Sequence, residues 1–130
     1  MNTTIESAFI GPGPIRIYQE YLEKGHFKIQ CCIDCGMSLF YPRITCTHCG
    51  SIFLKWVQAL GFGTIYAVSI VNRQVEKGGP YNVVLVELAE GPRMMARVDG
   101  VSNDQVKIGM EVKAKIDSTG KEPFVVFEPA

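Results

Sequence analysis

The stretch CCIDCGMSLFYPRITCTHCG, Cys31–Gly50, contains all five cysteines of the 130-residue chain and one of its two histidines. It includes two C-x-x-C-G units, Cys32–Gly36 and Cys46–Gly50. Each unit can turn two thiolates toward one ion, because the glycine permits the left-handed turn of a metal-binding knuckle. Clustered cysteines at this spacing are typical of a structural metal site rather than of disulfides. The predicted ligands are Cys32, Cys35, Cys46 and Cys49.

Zinc is the metal that this donor set favours, because zinc dominates structural four-thiolate sites in small ribbons. Rubredoxin-type iron, which would make the protein an electron carrier, can use the same ligands. A shell of four cysteines leaves no position for water, so the metal is expected to stabilise the fold and not to catalyse a reaction. The sequence thus predicts one structural Zn²⁺ ion.

Two further donors in the stretch are surplus to a four-ligand site. Cys31 is expected on the opposite face of its strand, and the ring of His48 is expected to point to solvent. His26 is interpreted as an exposed polar residue. Between the knuckles, MSLFYPRIT predicts a hairpin that turns at 41–43 and returns through Ile44.

The charge balance argues against several classes of function. Thirteen basic and thirteen acidic residues cancel, and 47% of the residues are hydrophobic. Proteins that bind nucleic acids usually show a clear basic excess, so nucleic acid is not the default partner. The uncharged run 59–72 is too short to span a bilayer as a helix, and MNTTIESAF lacks the layout of a secretory signal. We expect a cytoplasmic protein.

Outside the cysteine stretch, the pattern predicts one helix followed by strands. Ile15, Tyr18 and Leu22 recur at helical spacing and Gly25 provides a stop, so a helix is expected over 14–24. Its aromatic residues either pack on the protein itself or lie on a partner. Strand-like alternation runs through 53–73, interrupted by Gly61 and Gly63 as by a bulge or bend, and through 81–89, 93–99, 110–117 and 123–129.

Several strands without a long helical pattern between them favour a small antiparallel barrel. In VSNDQVKIGMEVKAKI, a hydrophobic pair at Val106 and Ile108 leads into an alternating strand, as in OB-type barrels. The predicted fold class is mainly β, with an N-terminal helix, a zinc ribbon and an OB-like barrel. The expected domains are a lead-in with the helix (1–25), the ribbon (26–52) and the barrel (53–130).

No catalytic set is apparent in the sequence. The predicted barrel contains no histidine, and Glu87 and Glu90 lie among charged neighbours, as on a solvated face. The Gly61-Phe62-Gly63 run lacks the further glycine and lysine of a phosphate-binding loop. We therefore expect a protein that is not an enzyme by itself.

The order of these features resembles a known family. The features are Leu22-Glu23-Lys24-Gly25, the two C-x-x-C-G units around Tyr41-Pro42-Arg43, the strand through Trp56, Gly61-x-Gly63-Thr-Ile-Tyr, Pro80-Tyr81, Glu87-Leu88-x-Glu90-Gly91 and Val106-x-Ile108-Gly109-Met110-x-Val112. Over about residues 14–128 the chain resembles the small proteins that join a rubredoxin-like zinc ribbon to an OB-fold domain and occur beside thiolases. The extra Cys31 departs from the family pattern.

This resemblance implies a non-catalytic accessory subunit. Its partner would be a thiolase-like or other acyl-CoA enzyme, such as an aromatic-degradation thiolase, in a hetero-oligomer with a shared CoA thioester site. The resemblance also implies that Cys32, Cys35, Cys46 and Cys49 bind zinc. The alternative function is single-stranded nucleic-acid binding on the barrel face. That alternative would use Phe62, Tyr66, Arg73, Arg93 and Arg97.

Overall fold

A computed structural model describes residues 13–130, which form one α-helix, two short 3₁₀ turns and two β-sheets. The expected lead-in before Gly13 and the predicted lack of a secretory signal lie outside the described residues. The elements in chain order are α1 (Pro14–Glu23), β1 (Lys28–Cys32), β2 (Ser38–Leu39), β3 (Leu54–Gln58), β4 (Phe62–Val71), β5 (Tyr81–Leu88), β6 (Arg93–Ala96), β7 (Glu111–Asp117) and β8 (Phe124–Pro129).

The predicted fold class, mainly β with a helix, a ribbon and an OB-like barrel, is confirmed. The chain divides into two compact units. The first ends at Ala59 and takes in Ser118–Phe124, and the second consists of Leu60–Asp117 and Val125–Ala130. The predicted domain boundaries stay a prediction. β3 lies in the range expected for the barrel, 53–130, but it pairs with β1 in a three-stranded sheet. The other five strands, β4 to β8, form a second sheet.

Helix α1 begins with proline and ends one residue before the predicted end. The N–H of Gly25 donates to the Leu22 carbonyl at 2.9 Å, and Gly25 has a φ of 84°, which glycine adopts without strain. Leu22 is buried. The ring of Tyr18 packs edge-on against Phe40, with centroids 5.5 Å apart. The ring of Tyr21 lies 5.7 Å from that of Trp56.

These contacts favour one of the two interpretations of the helix aromatics. Tyr18 and Tyr21 pack on the first unit itself, so they are not the exposed docking residues that a partner would require. Burial, followed by the charge of Tyr41, raises the pKa of the Tyr18 hydroxyl. Tyr41, in the predicted turn, is exposed, and Phe40, directly before that turn, is half-buried between the rings of Tyr18 and Tyr41.

The ribbon sheet has the strand order β2-β1-β3 and is antiparallel throughout. Gln30, on the central strand, faces Leu39 on one side and Trp56 on the other. The prediction of a return strand through Ile44 is wrong, because no ladder forms there. Instead, Gln30 Nε2 donates to the Arg43 carbonyl at 2.7 Å, and the Arg43 N–H donates to Gln30 Oε1 at 2.6 Å. A buried side chain takes the place of a strand partner.

The five-stranded sheet has the order β6-β5-β4-β7-β8. A parallel bridge joins Val98 to Phe127, where the Phe127 N–H donates to the Arg97 carbonyl at 3.0 Å and the Asp99 N–H to the Phe127 carbonyl at 2.8 Å. This bridge connects the two edges of the sheet. Such closure is the topology of a five-stranded OB-type barrel.

The barrel interior is filled by side chains that alternate along the strands. In β5, every second residue from Asn82 to Leu88 is buried. Met94 is buried and Met95 is exposed, so these neighbouring side chains lie on opposite faces of β6. Of the predicted hydrophobic pair, Val106 enters the core, whereas Ile108 is exposed.

Of the two glycines predicted to mark a bulge or bend, Gly61 agrees with a bend, because it lies between β3 and β4, whereas Gly63 has another role. Gly61 has a φ of 86° and precedes β4. A Cβ on Gly63 would lie 2.6 Å from Val86 Cγ1 and 2.8 Å from the Glu87 carbonyl, so Gly63 permits close approach of β4 to β5. The bulge of β4 lies at Tyr66, between Ile65 and Ala67.

Asn82 is the buried polar residue of the barrel, with 4% of its surface exposed. Its Nδ2 donates to the Val98 carbonyl at 2.9 Å and to Asn103 Oδ1 at 3.0 Å, and its Oδ1 accepts from the Val98 N–H at 2.7 Å. Asn82 thereby holds β5 to the residue at which the barrel closes.

We expect Asn82→Ala to lower the free energy of unfolding by about 2–3 kcal/mol, because it leaves the buried N–H and carbonyl of Val98 without partners. Urea unfolding followed by circular dichroism measures this change. Gln105→Ala, an exposed change in the neighbouring 3₁₀ turn, is the control and should cost less than about 0.5 kcal/mol. Equal stability of the two variants would contradict the proposed role of Asn82.

Candidate metal centre

The two C-x-x-C-G units fold into matching turns. The N–H of Gly36 donates to the Cys32 carbonyl, and the N–H of Gly50 donates to the Cys46 carbonyl, each at 2.9 Å. The two glycines have φ values of 78° and 79°, which confirms the predicted left-handed turns. The first knuckle begins at the end of β1, and the second lies in the irregular segment between β2 and β3.

The four predicted ligand atoms lie together in the first unit. The Sγ atoms of Cys32, Cys35, Cys46 and Cys49 all lie within 4.8 Å of one another. The Cys32–Cys49 and Cys35–Cys46 sulfur pairs are each 3.6 Å apart. A tetrahedral ion with metal–sulfur bonds of about 2.3 Å requires sulfur separations of about 3.8 Å. The donor set and its spacing therefore fit one tetrahedrally coordinated metal ion.

Main-chain N–H groups point at two of these sulfur atoms. The N–H of Cys35 lies 3.5 Å from Cys32 Sγ, and the N–H of His48 lies 3.3 Å from Cys46 Sγ. The hydrogen bond from Cys35 lowers the pKa of the Cys32 thiol. Burial raises the pKa of Cys46, but hydrogen bonds from the backbone of Cys49 and His48 outweigh it and bring the pKa to about 6. These hydrogen bonds favour the thiolate form of Cys32 and Cys46. Backbone hydrogen bonds from Met37 and Ser51 lower the pKa of Cys35 and Cys49, but burial and hydrogen bonds with neighbouring thiols outweigh them, so the pKa of each of these two thiols is raised.

A small set of polar contacts ties the two knuckles together. Ser51 Oγ donates to Asp34 Oδ2 at 2.6 Å and accepts from the Phe53 N–H at 2.9 Å. The Ser51 carbonyl accepts from the Cys46 N–H at 2.8 Å. Ser51 is thus bonded to the first knuckle through Asp34 and to the second through Cys46. The sequence pattern did not point to this pairing, because Asp34 lies in the first knuckle and Ser51 directly follows the second.

The surplus donors lie outside the sulfur cluster. Cys31 Sγ lies 3.6 Å from the Gly36 carbonyl and is not a member of the four-sulfur group. Cys31 is half-buried where Cys32 is buried, in agreement with opposite faces of β1. His48 and His26 are exposed, as predicted.

The arginines proposed for the nucleic-acid alternative are engaged within the barrel. Arg93 Nε donates to Glu87 at 3.1 Å, and its guanidinium lies 3.7 Å from the ring centre of Tyr66. Arg73 donates to the Gly79 carbonyl and lies over the ring of Tyr81. Arg97 forms ion pairs with Asp99 and Asp117, and these interactions raise its pKa. Phe62 and Tyr66 are exposed on the same barrel.

The two glutamates considered as catalytic candidates have structural partners. Glu87 pairs with Arg93, and Glu90 Oε2 accepts from the Leu60 N–H at 2.7 Å. Glu90 Oε1 is buried without a hydrogen-bond partner among the described residues. The described part of the chain also has no helix with the length and apolar composition that a membrane crossing requires.

Two family models match the chain. Residues 20–51 match the model described as ChsH2, rubredoxin-like zinc ribbon domain, and residues 56–117 match ChsH2, C-terminal OB-fold domain. A DUF35 domain-containing scaffold protein from Methanothermobacter thermautotrophicus is 33% identical over 105 residues, which cover 74% of this chain and 77% of the relative. The chain belongs to the DUF35 family. The predicted resemblance is confirmed.

Two further relatives of this DUF35 chain extend the comparison. A chain of a structure described as Ltp2-ChsH2(DUF35) aldolase superimposes with a TM-score of 0.80 at 29% identity, covering 92% of this chain and 96% of that one. A probable enoyl-CoA hydratase alpha subunit from Thermomonospora curvata is 33% identical over 114 residues, 85% of this chain. This chain spans only 36% of that relative's length.

We expect Cys35→Ser to lose bound metal and Cys31→Ser to keep it, because only the first removes a sulfur from the cluster. Elemental analysis of the purified proteins should find about one zinc per chain in wild type and Cys31→Ser, and a content at least about tenfold lower in Cys35→Ser. Equal metal loss in both variants would contradict the ligand assignment. A red protein rich in iron would contradict zinc.

Proposed function

We propose that this DUF35 protein is a non-catalytic accessory subunit of a thiolase-like acyl-CoA enzyme. In this proposal the helix and ribbon dock on the enzyme, and the barrel shapes its acyl-CoA site or bridges it to a second enzyme. The observation that carries the proposal is the likeness over nearly the whole chain to the DUF35 member of the Ltp2-ChsH2 aldolase. The relative from Methanothermobacter thermautotrophicus is named a scaffold protein and that from Thermomonospora curvata a probable enoyl-CoA hydratase subunit, and both names support the proposal.

The proposed cofactor is one structural Zn²⁺ ion held by Cys32, Cys35, Cys46 and Cys49. Four thiolates would complete its coordination, so the ion would not bind a catalytic water. Its contribution would be folding free energy for the first unit, where Cys32, Leu39 and Cys46 form a small buried cluster with Leu54 packed against it. Free thiols of this kind are kept reduced in the cytoplasm, the compartment that we propose.

Each unit exposes apolar side chains that a partner could cover. In the first unit, Ile33 and Phe53 are exposed next to each other, since the Ile33 N–H donates to the Phe53 carbonyl at 2.9 Å. In the second unit, Phe62 and Met95 are exposed on the outside of the barrel. Exposed apolar patches of this kind are common at protein interfaces.

Nucleic-acid binding is the weaker candidate. Its three arginines already contact Glu87, Gly79, Asp99 and Asp117, so a phosphate would have to compete with these groups. The exposed rings of Phe62 and Tyr66 alone do not distinguish base stacking from protein contact. Absence of salt-sensitive binding to a labelled single-stranded oligonucleotide would exclude it.

The proposal is tested by co-expressing the chain with a thiolase-like enzyme from the same source and measuring co-elution and enzyme activity. We expect a complex whose acyl-CoA activity exceeds that of the enzyme alone. Ile33→Asp and Met95→Asp form a matched pair, because the two side chains are 60% and 59% exposed and lie in different units.

In this experiment Ile33→Asp should abolish or strongly weaken co-elution. Met95→Asp should preserve co-elution and change the KM for the acyl-CoA substrate. Circular dichroism and metal content of both variants verify that they are folded. If wild type neither co-elutes with the enzyme nor changes its activity, the proposed function is wrong.

A further inference from the structure

An open groove of about 480 Å³ lies in the first unit, between the first turn of α1 and the segment that leads into the second knuckle. Its lining residues are Gly13, Pro14, Ile15, Arg16, Pro42, Arg43, Ile44, Thr45 and Thr47. The volume is in the range of sites for small organic ligands. None of the four predicted metal ligands lines this groove, and neither do Ile33 and Phe53, the exposed apolar residues of the first unit discussed above.

The lining combines positive charge with apolar surface. Two arginines, Arg16 and Arg43, are among its lining residues, and none of the described residues that line it is acidic. Thr45 and Thr47 supply hydroxyl groups, and prolines and isoleucines supply apolar surface. In a chain whose formal net charge is zero, this local excess of positive charge favours an anionic ligand.

Arg43 is held in position by its main chain. Its N–H and carbonyl form two short hydrogen bonds with the amide of Gln30, which is 4% exposed. Within residues 13–130, no carboxylate lies in ion-pair distance of the Arg43 side chain. The guanidinium therefore needs to break no internal ion pair with a described residue to bind a ligand.

Arg16 is a weaker donor for the same groove. Its side chain is 72% exposed and pairs with Glu20 at 3.3 Å, one helical turn away. Exposed pairs of this kind contribute little stability, so an anion can compete for the guanidinium at small cost. Arg43 should accordingly contribute most to recognition, and Arg16 less.

We propose that this groove binds a phosphate group of a small organic phosphate ester. A guanidinium offers two parallel N–H donors that match two phosphate oxygens, and the hydroxyls of Thr45 and Thr47 add further donors. The apolar lining from Ile15 and Ile44 would contact the organic part of the ligand. The inference does not depend on the proposed accessory function.

The test is calorimetric titration of the full chain with three probes: inorganic phosphate, ADP and coenzyme A. At low salt we expect binding of at least one organic phosphate, and weaker binding of inorganic phosphate, which lacks an organic part. Arg43→Gln should weaken binding at least tenfold, and Arg43→Lys should weaken it less, because lysine keeps the charge without the paired donors. Lys55→Gln, an exposed charge change on β3, is the matched control and should bind as wild type does.

Arg43 contacts Gln30 only through its main chain, so these variants should keep the wild-type metal content and circular dichroism spectrum. If no probe binds wild type, or if Arg43→Gln and Lys55→Gln bind alike, the groove is not a phosphate site. Failure here leaves co-elution with an acyl-CoA enzyme unaffected, so the two proposals can fail separately. Comparison of the three probes identifies which part of the ligand contributes to binding.

Discussion

The first unit depends on bringing four cysteine sulfurs within 4.8 Å of one another. Two of the four, Cys32 and Cys46, belong to a buried cluster that otherwise contains only Leu39, with Leu54 packed against it. This cluster alone is too small to balance the conformational entropy of ordering the two knuckles and the irregular segment between them. Cys32 and Cys46 belong both to this cluster and to the four-sulfur group. Any change in the packing of the ribbon would therefore also change the geometry of the metal centre.

Two buried amides hold main-chain segments that lie outside the named strands. Gln30 forms a pair of hydrogen bonds with the main chain of Arg43, and Asn82 forms a pair with the main chain of Val98. Each amide provides a partner for one main-chain N–H and one main-chain carbonyl. One of them fixes the segment before the second knuckle, and the other fixes the point at which the barrel closes.

Much of this fold could be predicted from the sequence because its signals are local. Helix α1 and strands β5 to β8 follow from hydrophobic periodicity and turn residues, and the ligand cluster follows from two short cysteine motifs. The prediction of a return strand through Ile44 is wrong because Gln30, thirteen residues before Arg43, forms hydrogen bonds with the N–H and carbonyl of Arg43 through its side chain. The pairing of β3 with β1 and the bulge at Tyr66 likewise depend on contacts distant in sequence, which periodicity does not report.

The contact between Gln30 and Arg43 has a consequence for variation at position 43. Because the hydrogen bonds involve only the N–H and carbonyl of Arg43, any residue except proline could make them. Folding therefore constrains residue 30 closely but leaves the side chain at residue 43 free to change. Homologues that share the fold can alter the chemistry of this surface by one substitution, without repacking the ribbon beneath it.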